Sequence, residues 1–235
     1  MKNNYNTFKD RAESKLAGLP VTKDTFCPLP FSHISTMPHG EIKLCCRAQP
    51  PEDGNPNVKN TDFDLKDYWH SEYMNEIRDA LIVGEKPTQC NNCWKMEDNN
   101  IVSLRMNRLT DLMETPSTRN AVEKYLVDRE VDFKIPLIEL KLSNVCNFKC
   151  RMCWPKDSSK WMQDWDKVKQ FYNKNDREYV EEIVDSNDLR KSRVMNLYEK
   201  DEHFVPQLLE VMESVEEIEF AGGEPLMDPV HYRVL

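Results

Sequence analysis

The sequence predicts an α/β protein in which a cysteine-rich α+β region precedes strand–helix units of a parallel sheet. Three observations carry that reading. From Pro136 onward the pattern runs strand, loop, helix, helix, strand, the order of βαβ architecture. Five of the eight cysteines (Cys27, Cys45, Cys46, Cys90 and Cys93) lie early, and Cys146, Cys150 and Cys153 fall in one later loop. Seven of the fourteen prolines lie within the first 60 residues, so the opening is rich in loops.

Phe31–Met37 and Glu41–Cys45 read as a hairpin turning at Pro38-His39-Gly40. Asn55–Asp64 is a polar connector. Ser71–Val83 reads as a helix. Met74, Ile77 and Leu81 share a face, Glu72 lies in the first turn, and Gly84 can stop it. Two more helices are expected at about 103–113 and 118–130. In Leu137–Leu142, Ile138, Leu140 and Leu142 alternate with Glu139 and Lys141, a strand period of two. Trp161, Trp165, Val168 and Tyr172 fall on one helical face. So do Val205, Leu208, Leu209, Met212 and Val215, with Pro206 acceptable in a first turn. Glu217–Ala221 is a second strand, with Ile218 and Phe220 opposite Glu219. Buried parallel strands are usually apolar on both faces. A polar face here suits either a barrel with a wet interior or an edge strand. The charged stretch 173–203 reads as a solvated helical insertion.

Composition narrows the function classes. Hydrophobic residues make up 39% of the chain, enough for a core. A net charge of −9 argues against a nucleic-acid surface. No apolar run approaches the ~18–20 residues that span a bilayer. The polar start, MKNNYNTFKDRAESK, has no secretory h-region. A cytoplasmic protein is expected, and in a reducing compartment the cysteines point to metal ligands or catalytic thiols rather than disulfides. His33, His39, His70, His203 and His231 show no ligand spacing.

Cys146-Asn-Phe-Lys-Cys150-Arg-Met-Cys153 places three thiols on one short loop after a strand. A [4Fe–4S] cube has four iron corners, usually held by thiolates. Three local thiolates leave one iron open for a small molecule, by the same logic as the open position of catalytic zinc. Gly222-Gly223-Glu224-Pro225 follows the second strand; alone it reads as a turn. Together the two segments resemble the CxxxCxxC signature and the GGE motif of the radical S-adenosylmethionine (SAM) superfamily. Met152 stands where that family often has an aromatic residue.

The resemblance implies a [4Fe–4S] cluster on Cys146, Cys150 and Cys153, with the amino group of SAM held by Gly222, Gly223, Glu224 and Pro225. It implies one-electron cleavage of SAM to a 5′-deoxyadenosyl radical that modifies a substrate. An external donor such as a flavodoxin or ferredoxin would supply the electron. Glu139, Lys141 and Glu219 would line the barrel interior. The family's fold is a partial (β/α)6 barrel.

Cys27, twelve residues, Gly40, four residues and Cys45 match the opening of the SPASM and twitch accessory domains, which hold auxiliary iron–sulfur clusters. Cys90-Asn-Asn-Cys93 would complete a four-thiolate site, with Cys46 a spare or alternate ligand. An all-cysteine zinc site is the alternative by ligand type. The module precedes the barrel here, whereas it follows it in better-known members. Relatives with such modules often modify peptides, so a peptide is the favoured substrate class.

The expected organisation is an N-terminal arm (1–24), a twitch-like module with helical linker (25–134) and the start of a radical SAM barrel (135–235). An eight-strand barrel takes ~250 residues, so six units need roughly 190. The stretch from Pro136 to Leu235 is much shorter, and an incomplete barrel is expected. A catalytically inactive iron–sulfur or zinc binding fragment is the rival reading.

Overall fold

The computed structural model describes residues 2–51, 54, 56–178, 181 and 195–235. It is a mixed α/β arrangement around a four-stranded sheet, among the described residues, of order β2-β1-β3-β4. Residues 179–180 and 182–194 of the expected 173–203 insertion lie outside the described residues.

The expected hairpin is present as β1 (His33–Thr36) and β2 (Ile42–Lys43). Gly40 adopts φ +96°, a left-handed conformation open to glycine at little cost, and the Met37 N–H donates to the Glu41 carbonyl at 2.9 Å. Next come the short α2 (Leu65–Trp69) and then α3 (Glu72–Val83). The Ser71 hydroxyl accepts the Met74 N–H, and Gly84 at φ +87° closes α3 at its far end. Met74, Ile77 and Leu81 are buried, as their spacing predicts. The helices α4 (Asn91–Asp98), α5 (Leu104–Leu112) and α6 (Pro116–Asp128) follow.

The N-terminal arm departs from expectation. It carries a helix, α1 (Lys2–Lys15), packed against α5. Tyr5, Ala12 and Leu16 are its buried contacts, too few to make a strong periodic signal. Docking onto α5 supplies the stability that the arm's own pattern does not show.

Two parallel strands complete the sheet: β3 (Leu137–Leu140) pairs with β1 on one side and with β4 (Glu217–Phe220) on the other. β3 is therefore interior and fully buried, which removes the edge-strand explanation of its polar face, whereas β4 is an edge strand of the described sheet and fits that explanation. β1 belongs to the early cysteine-rich region, so residues 25–134 and 135–235 share one sheet. They also share one buried cluster that runs from Ala12 to Val234. Each buried Leu, Ile or Phe contributes about 1.5–3 kcal/mol.

The expected helix through Trp161 and Tyr172 is broken. It forms α7 (Ser159–Met162), α8 (Trp165–Val168) and a 3-10 turn over Lys169–Phe171. Asp164, at φ −107° and ψ 0°, interrupts it, and Trp165 packs against Tyr172 at 5.2 Å. Before β4, α9 (Phe204–Val211) buries Phe204, Val205, Leu208 and Val211. After β4 comes the short α10 (His231–Val234). Among the described residues no helix is long and apolar enough to cross a membrane.

Candidate metal centres

Backbone register lays out the polar face of the sheet. Lys43 pairs with Ser35, Ser35 with Glu139, and Glu139 with Glu219, so these four form one row across all four strands. Ile34, Ile138 and Ile218 occupy the neighbouring row and face the other way. The polar row is internally paired. The Ser35 hydroxyl donates to Glu139 at 3.1 Å, and Lys141 lies 3.1 Å from the same carboxylate. Arg108, on α5, forms an ion pair with Glu219. Burial works against charge on Glu139. Lys141, the Cys46 thiol and His33 outweigh it and hold the carboxyl below its ordinary value.

The early cysteines separate into four and one. Cys27, Cys45, Cys90 and Cys93 line a single pocket with Leu29, Leu44, Ala48 and Leu104. Two hydrogen bonds tie the Cys45 segment to the Cys90–Cys93 segment. Asn92 Nδ2 donates to the Arg47 carbonyl at 2.8 Å, and the Gln49 N–H donates to the Gln89 carbonyl at 2.8 Å. Burial pushes the thiols of Cys27 and Cys45 well up and that of Cys90 up to about 12. The Leu29 and Arg47 N–H groups donate to the sulfurs of Cys27 and Cys45, which favours thiolate. Cys46 turns away from this pocket and donates its thiol to Glu139.

The second group sits at the carboxyl ends of β3 and β4. Cys146 and Cys153 are partly exposed and Cys150 is exposed. Burial, and then the neighbouring Cys150, raise the Cys153 thiol. The Phe148 N–H donates to Cys146 Sγ at 3.4 Å. Trp161 covers the loop, its indole N–H donating to the Cys150 carbonyl at 2.9 Å. Ser158 and Ser159 bind the Phe148 and Cys146 carbonyls.

The glycine turn packs directly on this loop. The Gly223 N–H donates to the Ser143 carbonyl at 3.0 Å, and the Glu224 N–H to the Val145 carbonyl at 2.7 Å. A Cβ on Gly223 would lie 2.1 Å from the Val145 oxygen, and one on Gly222 2.8 Å from the Ser143 oxygen. Gly222 also adopts φ +101°. Glycine is required at both positions by this close approach. Glu224 caps the following turn by accepting the Leu226 N–H at 3.3 Å, and Pro225 opens that turn.

Some residues of these sites carried no sequence signal. Arg105 lines the four-cysteine pocket, although a charge on an amphipathic helix ordinarily reads as exposed. Asp228 lines the small cavity beside Glu224, only 2% exposed. Its Oδ1 accepts the Val230 N–H, and its Oδ2 has no hydrogen-bond partner among the described residues.

Among the described residues no three His, Cys, Asp or Glu side chains already stand in metal-ligating geometry. The donor chemistry still fits thiolate-bound metal. Four buried thiols share one apolar pocket, three sit on one loop, and each group has backbone N–H donors aimed at sulfur. A cation reverses the cost of ionising such thiols. No protein-family model, curated protein or solved structure matches the chain.

Proposed function

We propose that the chain is a radical SAM enzyme, or the N-terminal part of one, with an auxiliary metal site at Cys27, Cys45, Cys90 and Cys93. The supporting observation is the pair of backbone hydrogen bonds that joins Gly223 and Glu224 to Ser143 and Val145, immediately before Cys146. Two motifs more than seventy residues apart in sequence thereby become neighbours at the carboxyl ends of adjacent parallel strands. That is where α/β sheets bind ligands.

In this reading Cys146, Cys150 and Cys153 hold a [4Fe–4S] cluster and leave one iron for SAM, whose amino group the Gly222–Pro225 turn binds. A cluster held there would pass one electron, drawn from a flavodoxin- or ferredoxin-like donor, into the SAM sulfonium, giving methionine and a 5′-deoxyadenosyl radical. Trp161 braces the cluster loop through its hydrogen bond to the Cys150 carbonyl. In this reading Glu139, Lys141 and Glu219 form a paired polar wall behind the site, and a peptide is the favoured substrate class. The barrel and twitch-like architectures belong to this proposal.

Anaerobic reconstitution tests it. The reading requires a SAM-induced change in the cluster's EPR signal and 5′-deoxyadenosine formation that Cys150→Ala abolishes. Material that holds no iron at this loop would overturn it.

A second reading is a non-catalytic iron–sulfur or zinc protein. The sheet favours it in one respect: only β3 and β4 come from the barrel-like part among the described residues, and two strands make a poor independent scaffold. Iron and SAM binding without 5′-deoxyadenosine formation, or zinc in both cysteine groups, would select this alternative.

A further inference from the structure

Among the described residues Arg105 is the one guanidinium that is both buried and part of a cysteine site. It is 2% exposed and lines the pocket shared by Cys27, Cys45, Cys90 and Cys93. Its donors reach the two chain segments that carry Cys27 and Cys93. Nη1 donates to the carbonyls of Lys23 and Phe26 at 2.8 Å each, and Phe26 immediately precedes Cys27. Nε donates to Glu97 Oε1 at 2.9 Å and Nη2 to Glu97 Oε2, both on α4, the helix that carries Cys93. The guanidinium also lies over the Trp94 ring, 5.0 Å from its centroid.

A buried arginine held by a carboxylate alone would be a structural ion pair. Here the two ends differ. Arg105 lines the pocket with the thiols and its charge favours a Cys90 thiolate, whereas Glu97 does not line the pocket and its weaker effect on Cys90 is opposite. A site of four thiolates carries four negative charges, and a divalent metal cancels only two. The remaining charge lies in an apolar pocket, where it is costly unless a cation stands beside it. Outer residues that hold and balance metal ligands typically govern affinity by 10–100-fold.

We propose that Arg105 is the charge-balancing positioning residue of the four-cysteine site: it ties the Cys27 segment to the Cys90–Cys93 helix and offsets the net negative charge of the metal-loaded thiolates. This rests on the four-thiolate reading above and holds for iron–sulfur and zinc alike.

The test is titration of the metal-free full chain with Co2+, in a Cys146→Ser, Cys150→Ser, Cys153→Ser background that leaves only the early cysteines. Thiolate-to-cobalt charge-transfer absorption reports the site. Arg105→Gln is expected to weaken Co2+ binding by about tenfold, and Arg105→Lys, which keeps the charge, to recover most of the loss. Glu97→Gln, which removes the countercharge, is expected to tighten binding. Unchanged affinity in Arg105→Gln, or a Lys variant no better than Gln, overturns the proposal. If neither Arg105 variant keeps the wild-type circular dichroism, the Glu97 variant decides: unchanged or weaker binding overturns it. Failure of the unsubstituted Arg105 chain to give the four-thiolate absorption would remove the four-cysteine site itself, a result distinct from failure of Arg105.

Discussion

The Glu224 N–H donates to the Val145 carbonyl at 2.7 Å, fastening the turn after β4 to the residue before Cys146. The cysteine loop therefore takes its position from a neighbouring strand as well as from its own. Any change that forces Val145 and the glycine turn apart must move the cysteines.

Gly223→Ala is the sharpest such change, because its Cβ would fall 2.1 Å from a backbone oxygen that cannot swing aside. It is expected to destabilise the chain by about 3 kcal/mol or more. Iron at Cys146, Cys150 and Cys153 should fall with it, while metal at the early site is kept. Urea unfolding and iron content per chain check both parts. Gly222→Ala should act in the same direction.

Cys45 and Cys46 are neighbours in sequence and serve different surroundings. Cys45 lines the four-thiol pocket, and Cys46 donates to Glu139 on the polar face. Cys45→Ala is expected to abolish metal at the early site, and Cys46→Ala to leave its stoichiometry unchanged. Metal analysis with the visible spectrum distinguishes them; loss in both variants would make Cys46 a ligand.

If both groups hold [4Fe–4S] clusters, reconstituted protein should carry about eight irons per chain. Replacing Cys146, Cys150 and Cys153 together should leave about four, and so should replacing Cys27, Cys45, Cys90 and Cys93. Zinc in place of the second four would assign the early site to zinc and leave the radical chemistry standing.

Glu139 is held ionised below its ordinary value by Lys141, Cys46 and His33 against the cost of burial. A depressed folded-state value means that the unfolded chain binds more protons in the intervening range. The carboxylate's contribution is thus fully present above its ordinary value of 4.5 and is lost as pH falls through the depressed one. Glu139→Gln should lower stability at neutral pH and flatten the acid limb of the stability curve. Urea midpoints from about pH 6 down to about pH 3 measure this.

Local pattern alone was enough to specify the hairpin, α3 with its Ser71 and Gly84 ends, and the two parallel strands around the cysteine loop. Each depends on interactions within a few residues: a left-handed glycine, a capping hydroxyl, a period of two. The Cys146–Cys153 loop and the Cys90–Cys93 pair were legible for the same reason, since close spacing in a chain forces closeness in space; the joining of Cys27 and Cys45 to that pair was implied by resemblance to the accessory domains. Packing decided the rest. α1 became a helix by docking on α5, and β1, while keeping its hairpin with β2, also came to lie in parallel beside β3. Arg105 was drawn beneath the four thiols, and Cys46 was turned from Cys45 toward Glu139. Those outcomes depend on contacts between residues far apart in the chain, whose energies no local window contains.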